Sequence, residues 1–130
     1  MTRRYARELV LQTLYSVEVG KHEAAAALDQ TFSHADASAH RAFVRDLVLG
    51  TIEHAAEIDA VIAPLLQGGW TIERLPLLDR LVLRMSLYEL QFHKETPSAG
   101  VINEAVELAK KFSTEDSGRY VNGVLASASR

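Results

Sequence analysis

Between Arg3 and Ala128, apolar side chains return every three or four positions and never settle into strict alternation. That period belongs to helices, so a sheet-based core is excluded from the start. Residues 3–19 carry Ala6, Val10, Leu14 and Val17 on one stripe, and Gly20 follows as a stop. Residues 22–33 read as a short alanine-rich helix with Leu28 and Phe32, followed by a polar connection, SHADASAH, over 33–40. The pattern over 39–66 predicts one long helix. Phe43, Leu47, Gly50, His54, Ile58, Val61 and Leu65 form one stripe, beside a second of Val44, Val48, Ala55, Ile62 and Leu66. Two stripes leave a narrow exposed face, as expected of a central helix packed on both sides. Pro64 is compatible with a kink or break near its end.

Gly68-Gly69 separates the two halves of the chain. Pro76 suits a helix start, and 76–93 again has two apolar faces, one with Leu78, Leu81, Val82, Met85 and Phe92, the other with Leu83, Leu87 and Leu90. Thr96 is placed as an N-cap with Pro97 at the first helical position. Ile102, Ala105, Val106, Ala109 and Phe112 continue the core stripe. Ser113-Thr114-Glu115-Asp116 is another helix start, with acids where the dipole favours them. The last helix buries Tyr120, Val121, Val124, Leu125 and Ala128. The expectation is an all-α, compact bundle of about seven helices. It forms one domain over 1–130, whose halves, 1–67 and 70–130, meet near the glycine pair.

Composition narrows the function. The absence of cysteine removes disulfides, thiolate metal sites and cysteine nucleophiles together, and fits a reducing, cytoplasmic setting. No apolar run reaches the roughly 18 residues of a membrane span. The net charge is -3, but unevenly placed. Residues 1–21 sum to about +2, while 22–60 sum to about -5. A polyanion site on such a chain must be local.

Two local clusters qualify. In RRYARELVLQTLY, residues 3–15, the positions of Arg4, Glu8, Leu11 and Tyr15 share an arc of about 60°, with Arg7 beside it and Arg3 near the helix end. Guanidinium forks suit phosphate oxygens, and a ring can stack an unpaired base. The plainer alternative pairs Arg4 with Glu8 and packs Tyr15 under a neighbouring helix. The second cluster, KKFSTEDSGRYVNG over 110–123, gathers Lys110, Lys111, Phe112, Arg119 and Tyr120 around a helix break. Its alternative is two core rings, with Ser113 as a cap and Asp116 complementing the dipole. Gly123, costly inside a helix, implies either close helix approach or open room. None of the five histidines makes an E-x-x-H or H-E-x-x-H pair, so no metal site is expected. Nor is there a phosphate-binding glycine loop or a nucleophile elbow. The sequence argues for no cofactor and no catalysis.

Four segments, in order and at their spacing, resemble the NusB family of bacterial transcription antitermination factors. They are RRYARELVLQTLY at 3–15, WTIERLPLLDRLVLRMSLYEL at 70–90, VINEAVELAKKF at 101–112 and EDSGRYVNGVL at 115–125. Residues 20–60 contribute little. The resemblance implies an all-helical fold. It implies binding to boxA-type single-stranded RNA together with NusE, a ribosomal protein, within the RNA polymerase antitermination complex that supports ribosomal RNA operons. It further implies RNA-facing roles for Arg3, Arg4, Arg7, Tyr15, Arg84, Phe112, Asp116, Arg119 and Tyr120, and a NusE-facing role for Asp79. It leaves room for a homodimer. The arginine-rich segment is short compared with some relatives, which favours dependence on the partner. Two other classes compete: a helical module that binds only protein, and a domain of the kind fused to ribosomal RNA methyltransferases.

Overall fold

Thr2 starts the first helix by accepting the Tyr5 amide on its side-chain hydroxyl at 3.0 Å. The computed structural model describes residues 2–35 and 38–129, so Asp36 and Ala37 of the SHADASAH connection lie outside the described residues. The α-helices are α1 (Arg3–Gly20), α2 (Ala24–His34), α3 (Arg41–Glu53), α4 (Ala55–Ile62), α5 (Leu77–Phe92), α6 (Ser98–Phe112) and α7 (Glu115–Ala128). Single 3₁₀ turns occur at Ser38–His40, Ala63–Leu65 and Ile72–Arg74. The described residues contain no strand, and none of their helices is long and apolar enough to cross a membrane.

The centre of the bundle is α5, which touches α1, α3, α4, α6 and α7. Leu81, Val82, Leu83, Met85 and Leu87 are all buried, as its two-faced pattern requires. They join one apolar cluster that runs from Ala6 and Val10 on α1, through Leu47 and Ile58, to Val121 and Leu125 on α7. Gly50 lets α3 close on α5: a Cβ there would stand 2.0 Å from the Tyr88 ring. Gly123 serves no such approach, because a Cβ built there meets nothing within 4 Å.

The structure corrects three local expectations. The helix predicted over 39–66 is broken at His54, which ends α3 and begins α4. The His54 ring stacks on Phe92 at 4.4 Å, and its Nδ1 lies 3.0 Å from Glu57. Pro64, with no amide hydrogen to donate, then falls in the 3₁₀ turn that follows α4. The second correction concerns α6. Its N-cap position is held by Pro97, whose carbonyl accepts the Val101 amide at 3.1 Å. Thr96 instead turns its hydroxyl to Arg7. The α7 start falls within the Ser113–Asp116 signature, with Glu115 and Asp116 in the first turn, but the cap is Thr114 rather than Ser113: Thr114 Oγ1 accepts the Ser117 amide at 3.0 Å.

Candidate nucleic-acid interface

Helix α1 sends its three arginines to different places. Arg4 is exposed and forks onto Glu104 of α6, with Nε 2.9 Å from Oε2 and Nη2 3.1 Å from Oε1. The bond to Glu104 and its charge raise the Arg4 pKa. Arg3 turns the other way, its guanidinium 4.1 Å above the Phe43 ring and 3.6 Å from Glu95. Arg7 is 5% exposed. Its Nε and Nη2 donate to the two oxygens of Glu89 at 2.9 and 2.5 Å, and Thr96 takes a longer bond at 3.4 Å. A guanidinium so engaged is not available to a phosphate chain. Arg84 is likewise committed: it is half-buried and binds both oxygens of Asp59 at 2.8 and 2.7 Å, tying α5 to α4.

The two plainer readings of α1 also fail. Arg4 reaches across to Glu104, 100 residues on, and Glu8 pairs with Lys111 at 2.8 Å. Tyr15 is 43% exposed and lines a cavity of about 250 Å³ with Leu11, Gln12, Leu78 and Phe112. The half-buried Phe112 ring has Lys111 Nζ 5.5 Å from its centre. Tyr15 and Phe112 thus share one cavity, while Arg4 and Lys111 line a separate one of about 150 Å³ between α1 and α6, and Lys111 links the two through the Phe112 ring.

A second ring-lined cavity, of about 270 Å³, opens at the start of α7. Trp70, Leu75, Pro76, Asp79, Asp116, Ser117 and Tyr120 are among its lining residues. Leu78 and Phe112 line the first cavity, and their chain neighbours Asp79 and Ser113 line the second. The start of α5 and the α6–α7 junction thus stand between the two. Asp79 is buried rather than turned toward a partner protein: it is 5% exposed, and Ser117 Oγ donates to its Oδ2 at 2.8 Å. Asp116 and Arg119 are exposed and pair with each other on the surface. The half-buried Tyr120 holds the preceding loop, its hydroxyl taking the Gln67 amide at 3.1 Å and facing the Gln67 carbonyl at 3.3 Å. Trp70, which belonged to neither sequence cluster, also lines this cavity; a lone tryptophan after a glycine pair was the signal available. A larger open groove of about 530 Å³ between α6 and α7 has no aromatic ring in its lining. Rings are a feature of the Tyr15 and Tyr120 cavities.

The described residues contain no group of three or more His, Asp or Glu arranged to hold a metal ion. A model of the NusB family matches residues 4–130. The chain belongs to the NusB family. A NusB transcription antitermination protein of Geobacter sulfurreducens is 45% identical over 125 residues, covering 95% of this chain and 90% of that one. Among solved structures, NusB from T. maritima superposes with a TM-score of 0.90 at 33% identity, covering 99% of this chain and 91% of that one. A NusB solved with NusE and double-stranded RNA superposes with a TM-score of 0.85 at 26% identity, covering 99% of this chain and 98% of that chain. These family members are antitermination factors, so the class of this chain is a transcription factor rather than an enzyme.

Within this family frame, the electrostatics of the rim are mild. Three of its cations face carboxylates: Arg4 with Glu104, Lys111 with Glu8, and Arg119 with Asp116. All three cations are more than half exposed at the side chain, so their ion pairs exchange readily with other anions. Such a surface offers rings first and charge second.

Proposed function

We propose that this NusB-family chain acts in transcription antitermination by binding boxA-type single-stranded RNA jointly with NusE, in support of ribosomal RNA operons. The observation that carries the reading is the pairing of two ring-lined cavities with exposed cations along one rim. Tyr15 and Phe112 line the first, with Lys111 beside the Phe112 ring and paired, like Arg4, across α1 and α6; Tyr120 and Asp116 line the second, with Arg119 paired to Asp116. Unstacked bases bind to rings of this kind, while cations position the phosphates. Asp116 would repel phosphate, so its role is to accept from a base amino group. The solved family member that holds both NusE and RNA supports the choice of partners. Because carboxylates already neutralise the rim cations, the chain alone binds RNA weakly, and the partner's charge supplies the rest. Arg7 and Arg84 brace the bundle instead, through Glu89 and Asp59. The role implies a cytoplasmic setting, within the RNA polymerase antitermination complex.

The test is fluorescence anisotropy with labelled boxA-type, scrambled and double-stranded RNA, with and without NusE, over a salt series. The expected result is preference for the single-stranded boxA-type RNA, strengthened by NusE and weakened by salt. A pair that ignores every RNA at low ionic strength overturns the proposal. NusE binding that RNA leaves unchanged would favour a module that binds only protein.

A further inference from the structure

Two features of the α7-side cavity are left over when the fold has been explained. The first is Trp70, an indole 45% exposed at the wall of a cavity when apolar rings of this size normally contribute to the core. The second is Asp79 Oδ1, which is buried and has no hydrogen-bond partner, although Oδ2 of the same carboxylate is held by Ser117. A buried carboxylate oxygen without a donor is costly and calls for an explanation.

The chain around Trp70 is a tight turn held at both ends. Gly68 and Gly69 both have positive φ, 69° and 77°, and the Trp70 amide returns to the Gln67 carbonyl at 3.4 Å. This is the signature of a tight turn that only residues tolerant of positive φ can form. The turn is anchored on both sides. Tyr120 grips Gln67 before it, and Ile72, only 9% exposed, enters the core after it. The Thr71 carbonyl accepts the Arg74 and Leu75 amides at 3.1 Å each, so Trp70 is presented from a backbone held on both sides.

We propose that Trp70 is the stacking wall of a subsite for a single unpaired RNA base, which it closes against Tyr120, and that Asp79 Oδ1 accepts an N–H from the edge of that base. This rests on the RNA-binding reading above and assigns one position within it. A cavity of about 270 Å³ lies just under the usual range of roughly 300–1,000 Å³ for drug-sized ligands, which suits one planar ring system. Stacking tolerates any base, and a lone acceptor asks only for an N–H, which every base can present. The subsite therefore reads the presence of an unpaired base more than its identity. It also favours single strands, because a paired base has no free face to offer.

Trp70 is the only tryptophan of the chain, so its emission reports on this subsite directly. The experiment titrates the chain, with and without NusE, with single-stranded RNA. Tryptophan emission and the anisotropy of a label on the RNA are recorded together, and the Trp70→Phe chain with NusE supplies the partner's background. Emission should quench by half or more along the same curve as the anisotropy. Trp70→Ala should weaken RNA binding about tenfold or more with the salt slope unchanged, and Trp70→Phe by less than about threefold. Replacing the stacked nucleotide by an abasic one should abolish the difference between wild type and Trp70→Ala. RNA that binds without moving the emission, or that binds Trp70→Ala equally well, overturns the inference and leaves the RNA-binding reading standing. RNA that fails to bind in every arm overturns both. Should Trp70→Ala fail to fold, the emission of the unaltered chain still decides.

Discussion

Arg4 and Arg7 are one helical turn apart on α1, and both form two-pronged ion pairs with a glutamate, yet they belong to different regions of the molecule. Around Arg7 the surroundings are dry. Glu89 is 1% exposed, and Phe43 covers the guanidinium at 5.4 Å. Around Arg4 the cation is open to water, with 56% of its side chain exposed against 20% for Glu104. Like pairs thus acquire opposite roles. In the dry region the charges hold helices together, and removing one partner strands the other. On the wet rim the same groups are screened and exchangeable, which makes them usable for a passing phosphate.

The comparison breaks most sharply at Glu89. Glu89→Ala or Arg7→Ala should cost about 3–5 kcal/mol, because an uncompensated charge stays buried. The measurement is urea unfolding at neutral pH. Replacing both residues by apolar ones, Arg7→Met with Glu89→Leu, should recover most of the loss. A single-variant cost under about 1 kcal/mol would mean that Arg7 is solvated, and would restore it as a candidate phosphate contact.

These two arginines also mark how far the sequence can be read. The helices and most of their starts were legible to within a residue, since period and capping depend on neighbours within a turn: the α7 start falls in the Ser113–Asp116 signature, although Thr114 and not Ser113 is its N-cap. Most of what stayed hidden depends on partners far along the chain. Arg7 finds Glu89 across 82 residues, and Thr96 leaves the α6 cap because it meets that same guanidinium. The break at His54 depends on Phe92, which no local pattern connects to it. At the candidate site, the rings of Tyr15, Phe112 and Tyr120 were legible as a set. Which arginine faced outward was not, because helical spacing fixes an angle about α1 but not which neighbouring helix covers that angle.

A second, smaller effect comes from Tyr88 in the dry region. Burial first, then the hydrogen bond and charge of Asp46, push its pKa up to about 12. A group raised in the folded state contributes its stability fully below the unfolded value near 10 and loses it as pH climbs toward 12. Unfolding followed from pH 8 to 12 should therefore show a decline over pH 10–12, bounded near ~3 kcal/mol. Tyr88→Phe should remove that part of the decline. An identical profile in the variant would show that Tyr88 is not the group responsible.

The smallest effect on stability, and the most telling for function, belongs to the rim. Arg4→Ala and Lys111→Ala should each change unfolding stability by no more than about 1 kcal/mol, since both cations are exposed although Glu104 and Glu8 are only 20% and 13% exposed. Each should nonetheless lower the magnitude of the logarithmic salt slope of RNA binding by about 0.7, the increment for one phosphate contact on a single strand. Their carboxylate partners make the argument two-sided. Glu104→Gln and Glu8→Gln release the same cations, so both should tighten RNA binding at low salt with no larger effect on stability. A rim that held RNA through its rings alone would show neither change, and a rim that served only to brace α1 against α6 would lose more stability than that in all four variants.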